Sequence, residues 1–244
     1  MGFLKLLEID LKRTVRDLRY TIFIIILPVV FYLTYTQLFN SSAQMHGTTW
    51  ANYSMVSLAA FGVIGNAITF LGTKLAHEKG NKWYSFLKVS PIPEYLYNVS
   101  RVITLCILSA AIILILFAVG YGVEDVRLPA SQWISIFLVL LLGSVVFASL
   151  ALIIGCFKSA AQPIGTMLYL ILSFIGGLWM PVEAMPSLMQ NIAKFTPTYH
   201  YAKLAWDILG NKAFPMSSLL ILVIYTIFFL LVYGLILKLN RGTE

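Results

Sequence analysis

The sequence predicts an all-α integral membrane protein: six transmembrane helices, an N-terminal interfacial amphipathic helix, and an outer re-entrant helical segment between helices 5 and 6. Three observations predict it. Only 11% of the residues are charged and 59% are apolar, against roughly a quarter charged in a soluble domain, so lipid replaces water as the main solvent. Six apolar runs each reach about the 20 residues that a hydrocarbon core demands. Lysine and arginine gather on one side of the zigzag those runs describe.

Residues 1–19 place Leu4, Leu7, Leu11, Val15 and Leu18 at three-to-four spacing, with Lys5, Lys12, Arg13, Arg16 and Arg19 on other faces. That pattern predicts a helix lying on the membrane surface. The first apolar run, 20–39, holds Pro28, which removes one helical hydrogen bond and predicts a kink. The others are 53–75, 99–119, 131–157, 161–179 and 217–237. With the N-terminus inside, the leader, the 73–101 segment, Lys158 and the C-terminal tail become cytoplasmic. The outer side keeps only Arg127, Lys194, Lys203 and Lys212, and an even number of crossings returns the C-terminus to the inside. No cleavable signal peptide is read from the charged leader.

The 244 residues leave room for one membrane domain over 1–244 and no appended soluble one. A net charge of +7 is that of cytoplasmic loops rather than of a nucleic-acid binder. Cys106 and Cys156 fall inside apolar runs, which argues against a disulfide or a metal site.

Two connections are long. In the inner one, Trp83, Phe86 and Leu87 stand at i, i+3 and i+4 on a short helix that Pro91 ends. An aromatic edge there is either a partner surface or an interfacial anchor. In the outer one, 180–216, the glycines Gly176 and Gly177 ahead of Trp179 and Pro181 end the fifth helix early, and Pro186 opens a helical stretch to Phe195. Leu188, Ile192 and Phe195 are spaced to bury one face, and either a re-entrant cap or a surface loop fits the breakers.

Small residues form two stripes, Gly62, Gly65, Thr69 and Gly72 in the second span and Ser144, Ala148, Ala151 and Gly155 in the fourth. Both predict close helix packing within the bundle. Asn66 and Gln162 are expected to make interhelical hydrogen bonds. No span carries a carboxylate near its centre, which argues against proton coupling. His77-Glu78 begins like a zinc-protease helix, but Asn81 stands where the second histidine is required. His46 and His200 are read as surface or interfacial. With no GxSxG and no phosphate-cradling glycine loop before Lys-Ser or Lys-Thr, the chain is not expected to be an enzyme or to hydrolyse ATP.

Taken together, the basic leader, six spans, an inner Glu-x-Gly loop and a proline-rich outer segment resemble the ABC-2 family of exporter permeases over nearly the whole chain. Glu78-Lys79-Gly80 with Leu87-x-x-Ser90-Pro91 resembles that family's coupling-helix region, here 77–91. Gly177 to Pro181 through Phe195-Thr196-Pro197-Thr198-Tyr199 resembles its outer re-entrant helices. The resemblance implies a bacterial cytoplasmic membrane and a second permease copy, identical or paralogous. It also implies a separate cytoplasmic ATPase that carries ATP and Mg2+, with no cofactor on this chain. Glu78, Lys79, Gly80, Trp83, Phe86 and Leu87 would then meet the ATPase. The expected function is export of an amphiphilic or hydrophobic compound such as a drug, antimicrobial peptide or lipid. Export of a lipid-linked polysaccharide is the alternative, and a non-transport membrane assembly protein a more distant one.

Overall fold

The computed structural model describes residues 3–16, 18–45, 47–80 and 94–241, and nearly all of it is helix. Helix α1 is Phe3–Arg16 and α2 is Leu18–Leu38, continuous through Pro28. A two-stranded hairpin, β1 Gln44–Met45 and β2 Thr48–Thr49, turns through Gly47 at φ +79°. Next come α3 Trp50–Gly65, a π-helical turn Asn66–Leu71 and α4 Gly72–Gly80, one after another without a break. Helix α5 spans Glu94–Val123, α6 Ala130–Gly143 and α7 Val145–Ile154. A 3-10 turn Gly155–Ala160 leads to α8 Ala161–Ile175. The remainder is α9 Ser187–Ala193, α10 Pro197–Leu209 and α11 Met216–Arg241.

Among the described residues, four helical stretches are long and apolar enough to cross a bilayer: Trp50–Glu78, Val99–Val123, Ala130–Ile175 and Met216–Leu239. Phe23–Leu38 is a shorter apolar helix. The sequence led one to expect six crossings. Ala130–Ile175 has 46 residues, about 69 Å if straight, more than twice a hydrocarbon core. It is not straight, because Lys158 at φ 49°, ψ −121° breaks the helical path and α7 and α8 pack together on either side of it.

The central stretch is Trp50–Glu78, 94% buried within the protein, whereas Met216–Leu239 is 6% buried and turns Val223, Ile224, Ile227, Phe228 and Leu231 outward. Glycine lets the centre be crowded. A Cβ on Gly62 would lie 2.6 Å from Ile112, and one on Gly65 2.7 Å from the Tyr169 ring. Gly72 meets Ile154, and Gly155 meets Leu75, so the lower parts of the two small-residue stripes face each other. Thr69 donates to the Gly65 carbonyl in its own helix, Ser144 donates to Leu141 at the break between α6 and α7, and Ala148 is half-buried.

At the end away from Glu78, Gly176 caps α8 and Gly177 adopts φ +85°, so the chain folds back at once. Two expectations for this segment are corrected. Leu188 and Phe195 are 71% and 77% exposed, and Ile192 is exposed too, so the stripe on α9 faces outward; an apolar periodicity does not distinguish burial in protein from contact with lipid. His200 is buried rather than superficial: its Nε2 lies 2.9 Å from the Lys194 carbonyl and its Nδ1 3.1 Å from the Ser218 hydroxyl. A carbonyl only accepts, so Nε2 carries the proton and Ser218 donates to Nδ1.

Candidate functional site

Three of the buried charges of the described residues, Asp10, Glu78 and Arg101, meet at one end of the bundle, where α1, α4 and α5 converge, while the fourth, Asp207 of α10, pairs with Lys203 at the other. Glu78, in the last turns of α4, is 3% exposed and forms an ion pair with Arg101 of α5, itself 1% exposed. The Tyr97 hydroxyl donates to Glu78 Oε1 at 2.6 Å, Arg101 Nη2 donates to the Tyr97 hydroxyl at 2.8 Å, and the guanidinium lies 4.3 Å from the centre of the Tyr97 ring. Tyr97 and Arg101 are one helical turn apart on α5, so their side chains emerge on the same face and converge on one carboxylate.

A second knot sits beside the first. Asp10 of α1 pairs with Lys74 of α4, and the Thr104 hydroxyl of α5 lies 3.1 Å from Asp10 Oδ2. Thr104 shares its single proton between Asp10 and the Ser100 carbonyl at 2.9 Å. Lys74 also sits 4.8 Å from the centre of the Phe70 ring. The leader helix therefore docks by a polar face, Asp10 and Thr14, and turns Leu4, Ile9 and Val15 outward. Three helices are tied together, α1 to α4 and α4 to α5 by ion pairs and α1 to α5 by the Thr104 hydrogen bond to Asp10. Ions removed from water hold only when each finds its counter-charge and hydrogen bonds, and stripping one partner from such a pair costs about 3–5 kcal/mol.

Between α1, α4 and the N-terminus of α8 lies a cavity of about 380 Å³. One layer farther along, Asn66 Nδ2 in the π-helical turn donates to the Leu105 carbonyl at 3.1 Å and to Ser109 at 2.9 Å. The opposite end is aromatic. Tyr53 stacks on Trp206 at 5.0 Å, Trp206 Nε1 donates to Ser57 at 2.9 Å, and Phe61 stacks on Tyr169 at 4.6 Å with Trp179 edge-on at 5.7 Å.

Of the residues read as a docking surface, Glu78 is turned inward and its carboxylate is occupied by Arg101 and Tyr97. The backbone of Lys79 and Gly80 ends α4. Trp83, Phe86, Leu87 and Pro91 lie outside the described residues, as does His46. In the outer segment Pro181 is buried and precedes a 3-10 turn, Pro186 precedes α9, and Pro197 is the first residue of α10, whose Thr196 cap accepts from the Tyr199 amide at 3.2 Å. Sequence reasoning missed Asp10, Lys74, Tyr97, Arg101 and Thr104. The two cations were read only as marks of orientation. The one available signal was a carboxylate on the basic leader and an arginine at the head of a strongly apolar run.

A nearly all-helical chain with several helices long and apolar enough to cross a bilayer, and with apolar side chains turned outward along them, defines a multi-pass membrane protein. Residues 20–238 match the ABC-2 family transporter protein family, and the chain belongs to that family. It is also similar to YvfS of Bacillus subtilis (strain 168), a protein assigned provisionally as a transport permease, with 29% identity over 224 residues covering 91% of each chain. The protein is thus a transport permease, a membrane subunit. ABC-2 permeases work with an ATPase partner in general.

Proposed function

We propose that this chain is the permease subunit of an exporter that moves an amphiphilic or hydrophobic compound, such as a drug, antimicrobial peptide or lipid, across a bacterial cytoplasmic membrane. A separate ATPase subunit, holding ATP and Mg2+, drives it from the cytoplasmic side, and a second permease copy completes the path. Both termini are cytoplasmic, following the lysine and arginine asymmetry. The six crossings are Phe23–Leu38, Trp50–Glu78, Val99–Val123, the two legs of Ala130–Ile175 on either side of Lys158, and Met216–Leu239. Helices α9 and α10 form the re-entrant segment between the last two.

The observation that carries this reading is the double charge clamp standing immediately before segment 81–93. Trp83, Phe86 and Leu87 on that segment engage the ATPase, and Glu78 acts as a positioning residue by fixing α4 against α5. Uncharged spans suit an apolar cargo, since the charged residues of the described spans stand at their ends or at the Lys158 turn. The test is co-expression with candidate ABC ATPase subunits from the same organism. A tagged permease should retain one of them in mild detergent and raise its ATP turnover, and Trp83→Ala should abolish both while membrane insertion persists. Normal turnover and capture by Trp83→Ala would refute the docking assignment.

A further inference from the structure

Arg101 carries more donors than its ion pair uses. Its side chain is almost wholly enclosed, Nη2 serves Glu78 and the Tyr97 hydroxyl, and Nε and Nη1 find no acceptor among the described residues. A guanidinium presents its N–H donors in a fixed fork, and buried donors left unmatched are costly. An anion able to take them stands one helical turn away. Thr104, three residues on from Arg101 on the same face of α5, meets Asp10 Oδ2 of the leader at 3.1 Å, and the charge of Asp10 reaches the guanidinium. Arg101 therefore lies between two buried carboxylates, Glu78 of α4 toward Tyr97 and Asp10 of α1 toward Thr104. The surrounding groups leave an exchange open. Among the described residues Asp10 gives Oδ1 to Lys74 and Oδ2 to Thr104, whose one proton is shared with the Ser100 carbonyl at 2.9 Å. With Arg101 on Oδ2, Thr104 keeps the Ser100 carbonyl, Lys74 keeps Oδ1, and Tyr97 still donates to Glu78. Glu78 then faces the cavity of about 380 Å³ that it borders between α1, α4 and α8, a space large enough to hold water against the carboxylate.

We infer that Arg101 is a two-position latch that passes from Glu78 to Asp10, loosening α4 from α5 while fastening the leader helix to α5. The exchange needs neither an ATPase nor a cargo, so it stands or falls separately from the transport reading. It lets α4 leave α5 by a change of partner, with no ion left bare. The test follows amide hydrogen exchange over residues 3–16 by mass spectrometry, in the full-length chain purified in dodecyl maltoside. Glu78→Gln removes the competing charge, so Arg101 should turn to Asp10 and exchange should slow about tenfold, the worth of one hydrogen bond between charged groups. Adding Arg101→Met should bring the rate back to within about twofold of the unaltered chain. Thr104→Val strips the present partner from Asp10 Oδ2, and with Arg101 free to replace it the rate should also stay within about twofold. Unchanged or faster exchange in Glu78→Gln, or a slowing that survives Arg101→Met, would overturn the latch. So would exchange about tenfold faster in Thr104→Val, which would leave that hydroxyl as the sole holder of Oδ2; this variant decides the matter where Glu78→Gln does not fold.

Discussion

Replacing Arg101 by methionine keeps much of the side-chain volume but leaves Glu78 inside the protein without its counter-charge. Both groups are almost wholly enclosed, at 1% and 3% exposure, so solvent screening offers little relief. Removing one partner of such a pair costs about 3–5 kcal/mol. Two features place this site toward the lower end. Tyr97 still donates to Glu78 Oε1 at 2.6 Å, and the change also removes Arg101 Nε and Nη1, which find no hydrogen-bond acceptor among the described residues. A loss of about 3 kcal/mol corresponds to roughly 6–12 °C in melting temperature for a chain of this size, read by intrinsic tryptophan fluorescence of the purified protein in detergent. Glu78→Gln combined with Arg101→Met should recover most of that loss, since a neutral pair carries no stranded charge. Arg101→Lys should not, because an ammonium cannot reproduce the planar fork that meets both Glu78 and Tyr97. If Arg101→Met shifts melting by less than about 2 °C, or the double variant loses the sum of both singles, the buried pair is not the constraint described above.

Asp10→Ala should release the leader, leaving Lys74 without its partner at a cost of about 3 kcal/mol; faster amide hydrogen exchange over 3–16, with α5 unchanged, is the readout. Gly143→Ala puts a methyl 2.6 Å from two carbons of the Tyr201 ring, which is fully buried and anchored by its hydroxyl to the Leu140 carbonyl at 2.7 Å. Overpacking of that kind costs about 1–3 kcal/mol and should lower the melting temperature without altering insertion. Burial holds the His200 imidazole below its ordinary value, against the raising effect of the Lys194 carbonyl. The unfolded chain then binds more protons than the folded one as pH falls through about 6.5, so stability drops on acidification from neutral pH, and His200→Gln should flatten that slope.

The helical membrane class was legible because it follows from solvent: a run of apolar residues in a charge-poor chain has few places to go but lipid. Local punctuation was legible too, as at Gly176 and Gly177, where a positive φ at the second residue ends the helix as the paired glycines predicted. What hydropathy could not provide was the neighbour of each face. Leu188 and Phe195 have the spacing of a buried stripe yet point outward, since lipid and protein interior are alike to a leucine. Nor could one sequence pair Asp10 with Lys74 or Glu78 with Arg101, because ion pairs between separate helices leave no periodic signature. Helix α10 was expected only through the family resemblance and not from its own residues: its start, Thr196 followed by Pro197, is a strong cap signal, but it sits among prolines that read as loop.

The placement of the charges also says how a push at segment 81–93 would travel. Two of the ties among α1, α4 and α5 are ion pairs whose separate rupture costs several kcal/mol and the third is the Thr104 hydrogen bond to Asp10, so the three ends would be expected to shift together more readily than to part. From α4 the path runs straight into the π-helical turn Asn66–Leu71, whose wider backbone spiral departs from the regular helical ladder. There Asn66 grips the Leu105 carbonyl and Ser109 on α5, so a change in the turn is felt by the same helix that holds the clamp below. Above it, Gly65 lets the Tyr169 ring of α8 close on the backbone, and Phe61 stacks on that ring. The central span Trp50–Glu78 thus touches, at its far end, α8 and the chain reversal after Ile175, through Phe61 against Trp179 and the Tyr53 hydroxyl on the Gly177 carbonyl at 3.3 Å, so a shift of that helix would be expected to reach both.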